Sequence, residues 1–230
     1  MFELYDYCTD LKPLHKACYE FIRDEIVCGF VPVGQIISEA EYRHRLNVSR
    51  TPVRMALDKL EHQGIIQIDS ETNRYQAVGL GADGIKNVYR LQASIERFLY
   101  PLVVSNATPE VITQFYRQID KISLALDQND LVSASDLGAH IHREIMLLSG
   151  FPGVDDVIDW AYGLVNGFNL MSLADQSRHR AIVAEHAALV RAIESNDLLL
   201  ILETAATHTA ACRTYSLQKY QENLNRCYTF

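Results

Sequence analysis

Three histidines, His142, His186 and His208, lie in the apolar stripes of three separate helical patterns. His142 shares its face with Gly138, Ala139, Ile145 and Met146; His186 with Ile182, Val183, Leu189 and Val190; His208 with Thr204, Ala205, Ala211 and Cys212. A lone imidazole on such a face is ordinarily a core residue with one hydrogen-bond partner. Three that converge are a different matter, because unpartnered buried imidazoles are costly and one divalent ion satisfies them together. Such a set suits zinc or nickel and leaves positions open for water or a ligand carboxylate. The alternative is a set that hydrogen-bonds an organic effector or waters without metal.

A second set sits at the start of another amphipathic pattern, "LNVSRTPVRMALDKLEHQG". Arg50 and Arg54 are four residues apart, so they share the face opposite the apolar stripe at a helix N-terminus, the end that enters a major groove. Arginine is the usual bidentate reader of guanine. Catalytic chemistry finds less support. One Glu-x-x-His pair occurs, Glu41 and His44, where helix capping already accounts for Glu41. Glu185 adjoins His186 but projects about 100° away around the helix, so it is not a base aimed at the same ion. No catalytic residues and no enzyme activity are expected.

These residues need scaffolds, and two are legible. A first helix spans about Leu14 to Cys28, closed by Gly29, and a second opens at Ser38 with the capping box Ser-Glu-Ala-Glu. After the short turn "NVS", Ser49 or Thr51 caps a third helix with Pro52 in its first turn; Val53, Ala56, Leu57 and Leu60 form its buried face. Gly64 stops it, and "IIQID" and "RYQAV" around "SETN" read as a hairpin. Helix, helix, short turn, helix and hairpin make a winged helix-turn-helix over residues 1–78. A linker follows at "GLGAD", residues 79–83. Residues 84–230 read as a bundle of six or seven helices, broken at "NATP", "DQND", "SGFPG", Gln176–Ser177 and "SND". The predicted fold class is mainly α.

At this level the chain resembles a known family. "FVPVGQIISEAEYRHRLNVSRTPVRMALDKLEHQGII" is similar to the DNA-binding domain of the GntR family of bacterial transcription regulators, over about residues 10 to 78. The resemblance implies that Arg45, Arg50 and Arg54 contact DNA, with Ser49 and Thr51 at phosphate; Arg74 in the wing tip "SETNR" joins this candidate set. Met55 stands where the family usually has Glu, and the wing tip lacks the usual glycines. "AHIHREIMLLSGFP" and "AEHAALVRAIESNDLLLILETAATHTAA" resemble the helical effector domain of the FadR subfamily, the FCD domain, over most of residues 84 to 215. That likeness implies a divalent-metal site made of an Asp, a His four residues later and two histidines 22 apart. His186 and His208 keep the 22 spacing and His142 fits by its distance to "SGFP", but Gly138 occupies the Asp position. Gln92 stands where many members carry Arg, four residues before Glu96. Both changes remove charge from the cavity, whose expected effector contacts are Gln92, Gly138, His142, His186 and His208.

The 230 residues carry a formal net charge of −8, yet Arg43, Arg45, Arg50, Arg54 and Lys59 concentrate positive charge against Asp58 alone. Such a patch can bind phosphate while the overall charge opposes non-specific sticking. No apolar run is long enough to span a bilayer, the N-terminal "MFELYDYCTD" has no signal-peptide character, and five cysteines without a C-x2-C pair suggest reduced thiols. A cytoplasmic location without membrane association is expected. The leading function is a ligand-responsive regulator that binds double-stranded operator DNA as a homodimer and takes a small carboxylate or sugar acid as effector. The alternatives are a metal-ion sensor without organic effector and a helical metalloenzyme.

Overall fold

The computed structural model describes residues 4–8 and 12–227, so the reading of "MFELYDYCTD" falls partly outside it. The chain divides into two compact units, one of residues 1–83 with 218–230 and one of residues 84–217.

In the first unit, a short helix α1 (Leu4–Tyr7) precedes α2 (Leu14–Val27), whose Ala17, Cys18, Phe21 and Ile22 are buried as their spacing predicts. Helix α3 (Glu39–Leu46) starts where Ser38 Oγ accepts the Glu41 N–H at 3.2 Å, and ends at Asn47 in the left-handed region, φ 52°. Asn tolerates that conformation better than other side-chain-bearing residues, which lets the chain reverse in the three residues before α4 (Arg50–His62). Ser49 is the N-cap of α4, without a side-chain capping bond, and Val53, Ala56, Leu57 and Leu60 pack inward, chiefly on α2.

Strands β2 (Ile66–Ile68) and β3 (Tyr75–Ala77) form the antiparallel wing, in register Ile66 with Ala77 and Ile68 with Tyr75. A strand that the sequence patterns did not indicate, β1 (Ile36–Ile37), pairs with the other edge of β3. The wing turn closes without glycine: Asp69 Oδ1 accepts the Thr72 N–H and hydroxyl, each at 2.7 Å, and Asn73 takes the positive φ, 52°. That substitution of Asn for Gly explains how "SETNR" makes a tight turn.

The second unit contains α5 (Gly81–Val103), α6 (Pro109–Asp127), α7 (Leu131–Leu147), α8 (Val154–Leu173), α9 (His179–Glu194) and α10 (Leu198–Cys227). Gly81–Asp83, read from sequence as linker, form the first turn of α5, and α10 from Gln218 onward groups with the first unit. Thr108 caps α6 by accepting the Val111 N–H, and Asp130 caps α7 by accepting the Ser133 N–H. Helix α7 packs between α6 and α8, and α9 lies against α6. This arrangement turns the stripes carrying the three histidines inward. No helix among the described residues is long and apolar enough to cross a membrane.

Candidate metal centre and nucleic-acid interface

Helices α7, α9 and α10 bring His142, His186 and His208 together, each buried. One nitrogen from each ring lies within 4.8 Å of the others, and the Nε2 atoms of His142 and His208 are 3.2 Å apart. The outward-facing nitrogens decide what the inward-facing ones can do. Nδ1 of His186 donates to the Ile182 carbonyl at 2.7 Å, and Nδ1 of His208 donates to Glu185 Oε2 at 2.8 Å. Nδ1 of His142 lies 3.6 Å from Glu96 Oε1, too long for a hydrogen bond. With Nδ1 of His186 holding the proton, its Nε2 carries the lone pair, and that Nε2 has no hydrogen-bond partner. Ring nitrogens oriented this way by carbonyl and carboxylate acceptors are what metal ligation requires.

Electrostatics distinguish the three rings. Burial lowers the pKa of His142 well below the usual value, and the neighbouring His208 and His186 lower it further. Burial, then the charge on His208, holds His186 at about 3. Burial also disfavours charge on His208, but Cys212 and Glu185 outweigh it and raise that ring to about 10. Of the three rings, His208 is therefore the one whose surroundings best stabilise positive charge, whether a proton or a divalent ion.

Glu185 is held by Arg178, whose Nη1 and Nη2 donate to its two oxygens at 2.5 Å each. Burial raises its pKa, but hydrogen bonds from His208 and Arg178 prevail and bring it to about 2. Glu185 therefore orients a histidine of the adjacent helix, a role its 100° offset from His186 conceals in the sequence. Glu96 is buried and accepts from Tyr162 at 2.6 Å and Gln92 at 2.9 Å on one oxygen, and from Thr209 at 3.3 Å on the other. Burial raises its pKa against those hydrogen bonds. Gln92 thus serves Glu96, and its own Oε1 has no hydrogen-bond partner.

Gly138 faces the cluster: an ideal Cβ there would lie 3.6 Å from His186 Nε2. The void beside it, lined by Ser135, Gly138, Asn169, His186 and His208 among others, is about 10 Å³. That is room for an ion or one water, not for an organic acid. A larger cleft of about 330 Å³ opens between α5 and α10, lined by Ala93, Glu96, Arg97, Leu202, Glu203 and Ala206 among others. Glu96 thus stands between the cleft and the histidines.

In the first unit, the turn from α3 to α4 presents Ser49, Arg50, Thr51 and Arg54 to solvent, and Arg74 is exposed at the wing. Arg50 is 64% exposed and pairs with Glu39 at 2.7 Å. Arg45 is 40% exposed and differs in kind: its guanidinium lies over the rings of Phe21 and Tyr42 and pairs with the buried Glu25. Tyr42 donates to the same carboxylate at 2.9 Å. Lys59, counted in the positive patch, packs over Tyr19 with Nζ 4.2 Å from the ring centre.

Comparisons with known proteins agree with both units. The FCD domain matches residues 87–211, and the model for bacterial regulatory proteins of the gntR family matches residues 14–72. The HTH-type transcriptional repressor RspR of Escherichia coli is 23% identical over 92% of this chain and 92% of its own length. The gluconate operon transcriptional repressor of Bacillus subtilis is 22% identical over 82% of this chain and 79% of its own. The solved structure of E. coli McbR/YncC shares the fold, with a TM-score of 0.62 at 17% identity over 95% of this chain and 98% of that one. The chain belongs to the GntR family of bacterial regulatory proteins and carries an FCD domain, which makes it a transcription regulator rather than an enzyme.

Proposed function

We propose that the protein is a cytoplasmic repressor that binds operator DNA as a homodimer and holds a divalent metal, zinc or nickel, through His142, His186 and His208. The observation that carries the metal reading is the inward set of Nε2 atoms, with Nδ1 of His186 and His208 anchored to acceptors and Nε2 of His186 unpartnered. A bound ion would tie three helices together, and a small carboxylate or sugar acid would reach it only if the void beside Gly138 opens. Arg50 and Arg54 read base edges, Arg45, Ser49 and Thr51 hold phosphate, and Arg74 contacts DNA from the wing. Repression follows the names of the similar E. coli and B. subtilis proteins.

One observation favours a second reading, direct sensing of the metal ion: the void beside the histidines has room for an ion and no more. The two are separated by thermal-shift and operator-binding measurements on chelator-treated protein, with zinc or nickel alone, sugar acids alone, and both. Release of operator by metal alone supports ion sensing, and release by an acid only with metal present supports the organic effector. Protein that takes up neither metal refutes the metal site in both readings.

A further inference from the structure

We infer that Cys212 supplies a fourth, thiolate ligand to the metal held by His142, His186 and His208, in place of the carboxylate that Gly138 cannot provide. The inference rests on the metal site proposed above and concerns its composition. Cys212 follows His208 by four residues on α10, so both side chains leave the same face one turn apart. Its Sγ is buried and lies 3.7 Å from His208 Nε2. In a tetrahedral site with metal–sulfur and metal–nitrogen distances of about 2.3 and 2.0 Å, a sulfur and a nitrogen ligand are separated by roughly 3.5 Å. One edge of that tetrahedron is therefore already present. The independent observation that points to a ligand is the buried, unpartnered Nε2 of His186, whose ring centre is 4.7 Å from that of His208.

Sγ lies outside the group of ring nitrogens that are within 4.8 Å of one another, so ligation requires it to move from its place beside His208 toward the other two rings. As the sulfur–metal bond forms, the thiol proton leaves to solvent. Arg178, whose Nη2 lies 3.9 Å from Sγ, faces the sulfur with a positive charge that suits the anionic form. Three imidazoles and a thiolate favour zinc and cobalt over manganese and magnesium, which prefer oxygen ligands.

The test is titration of the chelator-treated full chain with cobalt(II), followed by absorption. Wild type is expected to show the near-ultraviolet sulfur-to-cobalt charge-transfer band with the intense visible bands of a tetrahedral ion. Cys212→Ser and Cys212→Ala are expected to lose the sulfur band while still binding cobalt, at least tenfold more weakly. Wild-type protein that binds cobalt without the band overturns the role of Cys212 and leaves the three-histidine site standing, whatever the variants do. A band that persists in Cys212→Ala assigns the sulfur to another cysteine and overturns the role equally. Failure of wild type to bind cobalt, zinc or nickel overturns both the ligand and the site.

Discussion

His142 and His208 face each other Nε2 to Nε2 at 3.2 Å. Because Nδ1 of His208 is committed to Glu185, the line between the two nitrogens must hold a proton or a cation; two bare lone pairs at that distance repel. An ion that binds only the folded chain stabilises it by about 2.7 kcal/mol at a hundred times its dissociation constant. For a unit of this size that is a rise of several degrees in the unfolding midpoint, at roughly 2–4 °C per kcal/mol. Zinc should produce this rise in chelator-treated wild type and not in His208→Ala. Calorimetric scans with superimposable zinc-free and zinc-loaded wild-type transitions would contradict the site.

Gly138 lies one turn before His142 on the inward face, and its ideal Cβ position is at ordinary contact distance from His186 Nε2, 3.6 Å. A carboxylate built there extends toward the same ion and cancels one unit of its charge. Gly138→Asp should tighten nickel binding tenfold or more, about 1.4 kcal/mol, and weaken an anionic effector that uses that position. Titration calorimetry on folded variant and wild type decides it. Equal or weaker nickel affinity would mean that the space beside Gly138 is not part of the coordination sphere.

The carboxylate of Glu185 connects Arg178 to His208. Replacing it with an amide keeps the shape but removes the charge that makes His208 a stronger ligand. Glu185→Gln is expected to lower metal affinity by about 10–100-fold, as loss of an orienting acceptor does at other sites. The operator affinity of the metal-free protein should stay as it was. A variant with wild-type zinc affinity would show that Glu185 is only a structural partner of Arg178.

A helix-turn-helix of this kind reads one half-site, and a second copy is needed to reach the next turn of DNA. Sedimentation equilibrium at micromolar concentration should give twice the chain mass. A monomer with and without operator DNA would count against the proposed assembly.

How much of this is legible in the sequence depends on whether the interaction is local. The Ser38 cap follows from residues three apart and the stripes carrying His142, His186 and His208 from helical periodicity, so these can be read directly, whereas "DQND" reads only as a break and its Asp130 cap does not stand out. Glu185 is legible only as a poor partner for His186, because its real partner sits on another helix and 23 positions away. Glu25 on α2 is likewise hidden, because its partners Arg45 and Tyr42 lie on α3. The pairing of β1 with β3 escapes notice because two residues give no alternation to detect. Asn73 in the wing shows the converse: a missing glycine suggests a missing turn, but Asn meets the same backbone requirement.

The DNA-facing arginines differ in how they are held. Arg50 pairs with Glu39 at the surface and Arg54 is exposed, so each can rotate to meet a base edge from the N-terminus of α4. Loss of a bidentate base contact costs roughly 1–3 kcal/mol and relaxes specificity at that position, so Arg50→Ala and Arg54→Ala should each weaken a selected operator far more than random DNA. Arg45 is fixed by Glu25 and two aromatic rings, an arrangement that suits a positioned phosphate contact rather than an adaptable reader of bases. Arg45→Ala should therefore weaken all sequences alike and reduce the salt dependence of binding by about one phosphate's worth. Glu25→Gln, which keeps Arg45 but loosens its setting, should reproduce part of that uniform loss. Salt-controlled titrations of the four variants against an operator selected from random DNA distinguish the roles. A base-specific defect in Arg45→Ala, or unchanged operator affinity in both Arg50→Ala and Arg54→Ala, would require a different face of the unit to meet DNA.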